Sequence, residues 1–397
     1  MHTSIYLNRI IKMEAPEEKN IDFEGDETLN PSSLVVEEAV EDVYPDAVLN
    51  IARETGSVFQ LKRRWEKTPS MLDLTPPFQR NLVWSSKQKS ELIESIIMGI
   101  PLPAFYVKEN PEGVYVVVDG KQRLSTLFDF IDGKFKLEGL SILKDHVKSY
   151  FSDLSPIEQN KIEDYTLTIN VIKAPTSDRV TFDLFDRVNR GGTNLNNQEM
   201  RNALYQGTST RLIDELAENM NFLDATENTI PPKHMKDRYL ILRFLAFYMW
   251  NEHLSVDIET GLRLEYKSNL EDFLGKTMAY LNNLTSQDKL IARLKIVFND
   301  CMYYAAKYVV PLGGFRLPSD GGRQKRPINM AFFESFSYLI AKMDEVNENH
   351  VREVYFSILS NKEYVNSLTY SVDSRKQTYL RYEIIKSYLK KTNPNVK

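Results

Sequence analysis

Residues 114 to 126 read VYVVVDGKQRLST, a β-branched run that stops on Asp119-Gly120, passes through three polar residues and becomes the apolar start of a helix. Val114, Val116, Val117 and Val118 favour a buried, pleated strand, and Gly120 permits a tight turn or a close approach of the backbone to a ligand. Leu124, Leu127, Phe128 and Ile131 recur at helical spacing, so Lys121 to Arg123 fall at or just before a helix N-terminus. Unsatisfied backbone N–H groups, the positive end of the helix dipole and the side chains of Lys121 and Arg123 together make an anion site, most naturally for phosphate. The plainer alternative is an ordinary strand-turn-helix with solvated charges.

A chain of 397 residues exceeds one small core, and two domains are expected. No apolar run approaches the roughly 20 residues that cross a bilayer, and the N-terminus lacks a signal-peptide core, so a cytoplasmic protein without membrane association is expected. A single cysteine, Cys301, excludes an internal disulfide and a multi-cysteine zinc site. The net charge of −5 conceals a division. Residues 14 to 46 carry twelve acidic groups against Lys19 alone, a local −11 that leaves +6 on the remainder. The mildly basic remainder is compatible with nucleic-acid binding, and the acidic segment is either a competitor for that surface or a solvated, poorly ordered leader.

Residues 58 to 64 (VFQLKRR) suggest a short strand or extended segment with a basic end. Pro76 and Pro77 then make Phe78 to Val83 loop or extended chain. Ser85 with Gln88 fits a capping box, and Leu92, Ile93, Ile96, Ile97 and Ile100 mark one helical face that Gly99, Pro101 and Pro103 bring to an end. Ala104 to Lys108 has room for a strand, and Asn110 to Gly113 supplies the turn of a hairpin with the valine strand. Asp132-Gly133 closes the next helix, while Lys134 to Leu137 and the alternating Tyr165 to Lys173 read as strands. A helix from Ser177 runs through Phe182 and Phe185 to Asn189-Arg190-Gly191-Gly192, and Asn196 with Glu199 resembles the next cap. From about residue 205 long amphipathic helices dominate, one holding Tyr239, Leu242, Phe244, Leu245, Phe247 and Tyr248, another Ile291, Leu294 and Phe298. Between two such helices lies GGFRLPSDGGRQKRP (313 to 327), whose Arg316, Arg323, Lys325 and Arg326 are either a solvated connection or contacts to a nucleic-acid backbone.

The chain contains no phosphate-binding G-x-x-x-x-G-K-[ST], no H-E-x-x-H and no G-x-S-x-G, and its five histidines are scattered. Asp145-His146 alone invites a metal or nuclease reading, against which a surface turn is the commoner outcome. Three polar clusters remain: Arg80 with Trp84 and Lys87, Asp119 to Arg123, and Asn189 to Thr193. Arg80 pairs with a phosphate or forms a surface salt bridge, and Trp84 stacks on a base or seals the core. Asp119 holds Mg²⁺ through water, orients Lys121 and Arg123, or caps the turn. Gly191 and Gly192 admit a ligand close to the backbone or terminate a helix.

In order, FQRNLVWSSKQKSELIESIIMGIPLPAFYV, VVVDGKQRLSTL and FDRVNRGGTNLNNQEMRNAL resemble the NTPase half of GmrSD-type, modification-dependent restriction enzymes, a domain described as related to the ParB/sulfiredoxin-like fold. The resemblance covers roughly residues 55 to 205. It implies a ParB/sulfiredoxin-like nucleotide-binding domain over 51–205, which with the acidic leader read over 1–50 and the helical pattern read over 206–397 makes an α+β chain with a mainly helical second domain. It further implies NTP binding and Mg²⁺-dependent hydrolysis around an Asp-Gly-Gln-Gln-Arg signature, which here reads Asp119, Gly120, Lys121, Gln122 and Arg123. Lys121 replaces the family's first glutamine, which favours phosphate binding and removes a group that could position water. Asp119, Gln122 and Arg123 are the expected catalytic residues and Asp119 the metal ligand. Arg80, Gly120, Lys121, Ser125, Asn189, Arg190, Gly191, Gly192 and Thr193 are expected to bind nucleotide, and Arg316, Arg323, Lys325 and Arg326 DNA.

The family's two-part enzymes continue into a His-Asn type nuclease domain, and no such histidine cluster occurs here. The expectation is an NTPase working in DNA restriction or antiphage defence, with a separate nuclease as partner and self-association open. The alternatives are a DNA-binding module without turnover and a scaffold whose helical half recruits an effector. Alanine at Asp119 or Arg123 is expected to abolish activity and leave folding intact.

Overall fold

The computed structural model describes residues 23–24, 50–74, 84–110, 112–176, 180–181, 184, 196–232, 235–318 and 325–392. The chain is α+β and forms two compact units, one of Val36–Asn219 with Pro231–Ile296, the other of Met1–Val35, Met220–Ile230 and Val297–Lys397. Arg80, the Asn189 to Thr193 loop, Arg323 and the expected helical residues Ser177, Phe182 and Phe185 lie outside the described residues. Among the described residues, no helix is long and apolar enough to cross a membrane.

The first unit is built on a five-stranded mixed sheet. Its strands are β1 (Asn50–Ser57), β2 (Leu72–Asp73), β3 (Phe105–Glu109), β4 (Tyr115–Asp119) and β5 (Thr166–Lys173), and they lie in the order β1-β5-β3-β4-β2. β3 and β4 form the expected hairpin: the Gly113 N–H donates to Asn110 O at 3.0 Å and the Val114 N–H to Asn110 Oδ1 at 2.8 Å. β4 also lies parallel to β2, with Leu72 opposite Tyr115 and Asp73 opposite Val116. β2 thus ends opposite Val116, three residues before β4 ends at Asp119, and because the two strands are parallel the chain leaves both toward the same end of the sheet.

Helices α1 (Val58–Glu66), α2 (Ser86–Ile97), α3 (Lys121–Ile131) and α4 (Pro156–Glu163) accompany this sheet, and α5 (Asn197–Leu204) packs against β4. The Ser85–Gln88 capping box starts α2 as expected, and the Asn196–Glu199 box starts α5. Leu92, Ile93, Ile96 and Ile97 are buried, and Trp84 packs against the same core. Two expectations fail. Residues 58 to 64 belong to a helix, because Ser57 and Gln60 form a capping box and Val58, Leu61 and Trp65 meet the core at helical spacing. No strand forms over Lys134 to Leu137, where Leu137 alone bonds across, to Ser149 O and from the Lys148 N–H.

Beyond α5 the structure is helical. In the first unit Lys236–Asn251 is buried on almost every side, Tyr239, Leu242, Phe244, Leu245, Phe247 and Tyr248 included, which explains why its apolar pattern is broader than one stripe. In the second unit Met330–Lys342 is the central helix, and its Glu334 meets Arg381 at 2.9 Å with both side chains fully buried. Phe23–Glu24, the described part of the acidic segment, pairs in parallel with Ile328–Asn329.

Buried Glu94 of α2 stitches the first unit together, accepting from the N–H groups of Ile142 and Leu143 at 2.8 and 2.7 Å. Glu94→Ala strands both donors and should lower unfolding free energy by about 2–4 kcal/mol, read by urea denaturation, whereas Glu94→Gln keeps an acceptor and should cost markedly less.

Candidate functional site

β4 ends on Asp119 and α3 begins on Lys121, so Gly120 alone makes the turn, with φ at +96°. A Cβ at this position would lie 2.2 Å from the ring of Phe105. Glycine is thus demanded twice, by a left-handed backbone and by a ring at the start of the neighbouring strand. That ring carries the Arg123 guanidinium, whose carbon sits 4.3 Å from its centroid. Arg123 Nη2 donates to Asp119 Oδ2 at 2.8 Å and to Ala104 O at 3.4 Å, and Nη1 donates to Pro103 O. One side chain one turn into α3 therefore clamps the end of β4 to the entry of β3.

The pair is largely removed from water, Asp119 being 18% and Arg123 12% exposed at the side chain. Burial raises the Asp119 carboxyl above its ordinary value, against the opposing pull of Arg123 and the Gly120 N–H that donates to it. Burial likewise lowers Arg123, with Asp119 opposing. Both charges are mutually dependent: removing either leaves the other desolvated and unpaired.

The remaining signature residues are differently placed. No side chain caps α3, unlike α1, α2, α4 and α5, each of which has a capping box. A cap contributes about 1 kcal/mol, whereas buried Leu124, Leu127, Phe128 and Phe130 contribute about 1.5–3 kcal/mol each. Packing holds the helix although Gly120 brings no side-chain cap to its N-terminus. Lys121 stands there, its ammonium pushed down to about 8 by burial, with Asp73 at the end of β2 opposing the shift. Among the described residues, Gln122 Oε1 is buried without a hydrogen-bond partner. Ser125 lies one turn beyond Lys121 on the same face.

The described residues bordering the two undescribed motifs converge on β4. The segment carrying Arg80 follows Leu74, directly after β2, and β2 pairs with β4. The Asn189 to Thr193 loop precedes Asn196, the cap of α5, and α5 packs on β4. Sequence reasoning missed Phe105 and Asp73, which enter only through strand pairing.

Among the described residues no group of three or more His, Cys, Asp or Glu could hold a metal, and Asp119 is already engaged. Asp145-His146 is a short helical turn in which His146 Nε2 meets Glu158 Oε1 at 2.8 Å. In the second unit, Arg316 is 7% exposed and pairs through Nη1 with Glu227, which also receives Lys325. Arg326 Nη1 donates to Pro318 O at 3.2 Å. Lys325, 70% exposed at its side chain, is the most accessible of these three basic residues.

Residues 61–206 match the family model described as GmrSD restriction endonuclease, N-terminal domain, and this region resembles that domain. No curated protein and no solved structure matches the chain.

Gly120→Ala should destabilise the first unit by about 1–3 kcal/mol through its backbone alone, with the displaced Phe105 ring adding to it. Arg123→Ala should cost about 3–5 kcal/mol by stranding Asp119, so the buried pair corrects the expectation from the sequence that alanine here leaves folding intact. Chemical denaturation checks both, and wild-type stability in either variant would contradict the clamp.

Proposed function

We propose that the first unit binds the phosphates of a nucleoside triphosphate at the N-terminus of α3 and hydrolyses it, in a protein that acts on DNA in restriction or defence. The observation that supports this best is an uncapped helix start bearing Lys121 beside a buried acceptor without a partner. The likeness of residues 61–206 to a restriction endonuclease domain supports the DNA and defence part of the reading.

In this account the signature divides into frame and contact. Asp119, Gly120 and Arg123 fix the turn. Lys121 and the first-turn N–H groups neutralise and orient phosphate oxygens, with Ser125 on the same face. Gln122 Oε1 offers an acceptor to a nucleotide hydroxyl, an amino group or the attacking water. The resemblance assigns Arg80 and the Asn189 to Thr193 loop to the same nucleotide. Mg²⁺, when bound with the nucleotide, supplies charge neutralisation of the polyphosphate. Asp119, the single carboxylate of the signature, would hold the ion only by sharing its carboxylate with Arg123.

That sharing favours a second reading, in which nucleotide is bound without turnover and switches DNA affinity or recruits a separate nuclease. Arg123 holds Asp119 in the frame, away from the role of a general base. Phosphate release from a panel of NTPs with Mg²⁺, with and without DNA, separates the two. Lys121→Met and Gln122→Leu should reduce release at least about tenfold while retaining wild-type stability. Equal background release by wild type and both variants would contradict the hydrolytic claim, and nucleotide binding without release would establish the switch.

A further inference from the structure

In the second unit the helix Lys289–Tyr304 passes into a π-helical turn over Ala305–Val309. Such wide turns redirect the side chains around them and are common at functional sites. Here they coincide with an aromatic group: Tyr303 and Tyr304 have centroids 5.3 Å apart, and Tyr304 and Tyr308 lie 6.2 Å apart with planes only 9° from parallel. At that separation two nearly parallel rings leave most of each other's faces uncovered. Tyr303 is 46% exposed, and Tyr304 and Tyr308 are half-buried. The exposed Lys307 ammonium lies 5.7 Å from the Tyr303 centroid and 5.1 Å from that of Tyr308.

We propose that Tyr303, Tyr304, Lys307 and Tyr308 form a stacking platform for the unpaired bases of single-stranded nucleic acid. Exposed tyrosine faces stack on any base, and a cation set among them meets the phosphate between neighbouring bases; aromatic rings and positive charge are the two components such surfaces share. The Lys307 charge over the Tyr303 and Tyr308 rings favours a nucleic acid over an apolar protein partner, and exposed Asp300, three residues before Tyr303 on the same helical face, marks the acidic limit of the platform. The platform is independent of the nucleotide site and rests only on the DNA part of the proposed function.

The test is fluorescence anisotropy of a labelled oligothymidylate and of a duplex of equal length, using the full chain at low salt. Tyr303→Ala and Tyr308→Ala should each weaken single-strand binding at least about fivefold. Tyr303→Phe should bind like wild type, and Lys307→Ala should reduce the steepness of the salt dependence by about one counterion. Unchanged binding by the double alanine variant, with circular dichroism confirming its fold, overturns the platform. Wild-type binding to duplex but not to single strands overturns the platform and spares the DNA reading. Binding to neither contradicts both.

Discussion

The Arg123 guanidinium, stacked on Phe105 and paired with Asp119, is the interaction on which the candidate site depends. It joins the last residue of β4, the first turn of α3 and the chain entering β3. With that clamp in place, α3 starts immediately after the strand and its N-terminus is held by packing behind it. The ion pair is costly to desolvate and its net stabilisation is small. Its value lies in fixing geometry, since neither partner can leave without exposing the other to an apolar environment.

The Asp-Gly-Lys-Gln-Arg signature therefore contains two kinds of residue that its spelling does not distinguish. Asp119 and Arg123 look like catalytic groups because they are charged and follow a strand, yet their polar atoms are turned on each other and on backbone carbonyls. Lys121 and Gln122 lie between them, one with its charge destabilised by burial and the other with an idle acceptor. Groups that burial leaves unfavourable are where a complementary ligand gains most.

What was legible in the sequence was local. Ser85 with Gln88, Asn196 with Glu199 and the turn at Asn110 to Gly113 announce themselves because both partners lie within a few residues. The α3 start was readable for the same reason. Ser57 with Gln60 carried an equally local signal, outweighed by the apparent strand character of Val58 and Phe59. Phe105 under Arg123, Asp73 near Lys121 and Glu227 on Arg316 and Lys325 were not legible, because each pairing is made by the tertiary fold. The same limit applies to the basic loop: its cations read as free from composition, whereas Glu227 meets two of them.

A titration of the Lys121 ammonium by NMR, in protein labelled at lysine, tests the central claim most directly. The account predicts a midpoint near 8 in the free protein and a rise on adding a Mg-nucleotide, because phosphate favours the charged form. By linkage, affinity should be full below about 8 and decline as pH rises through the bound-state value. A midpoint that saturating nucleotide leaves unmoved would contradict a phosphate site at the start of α3.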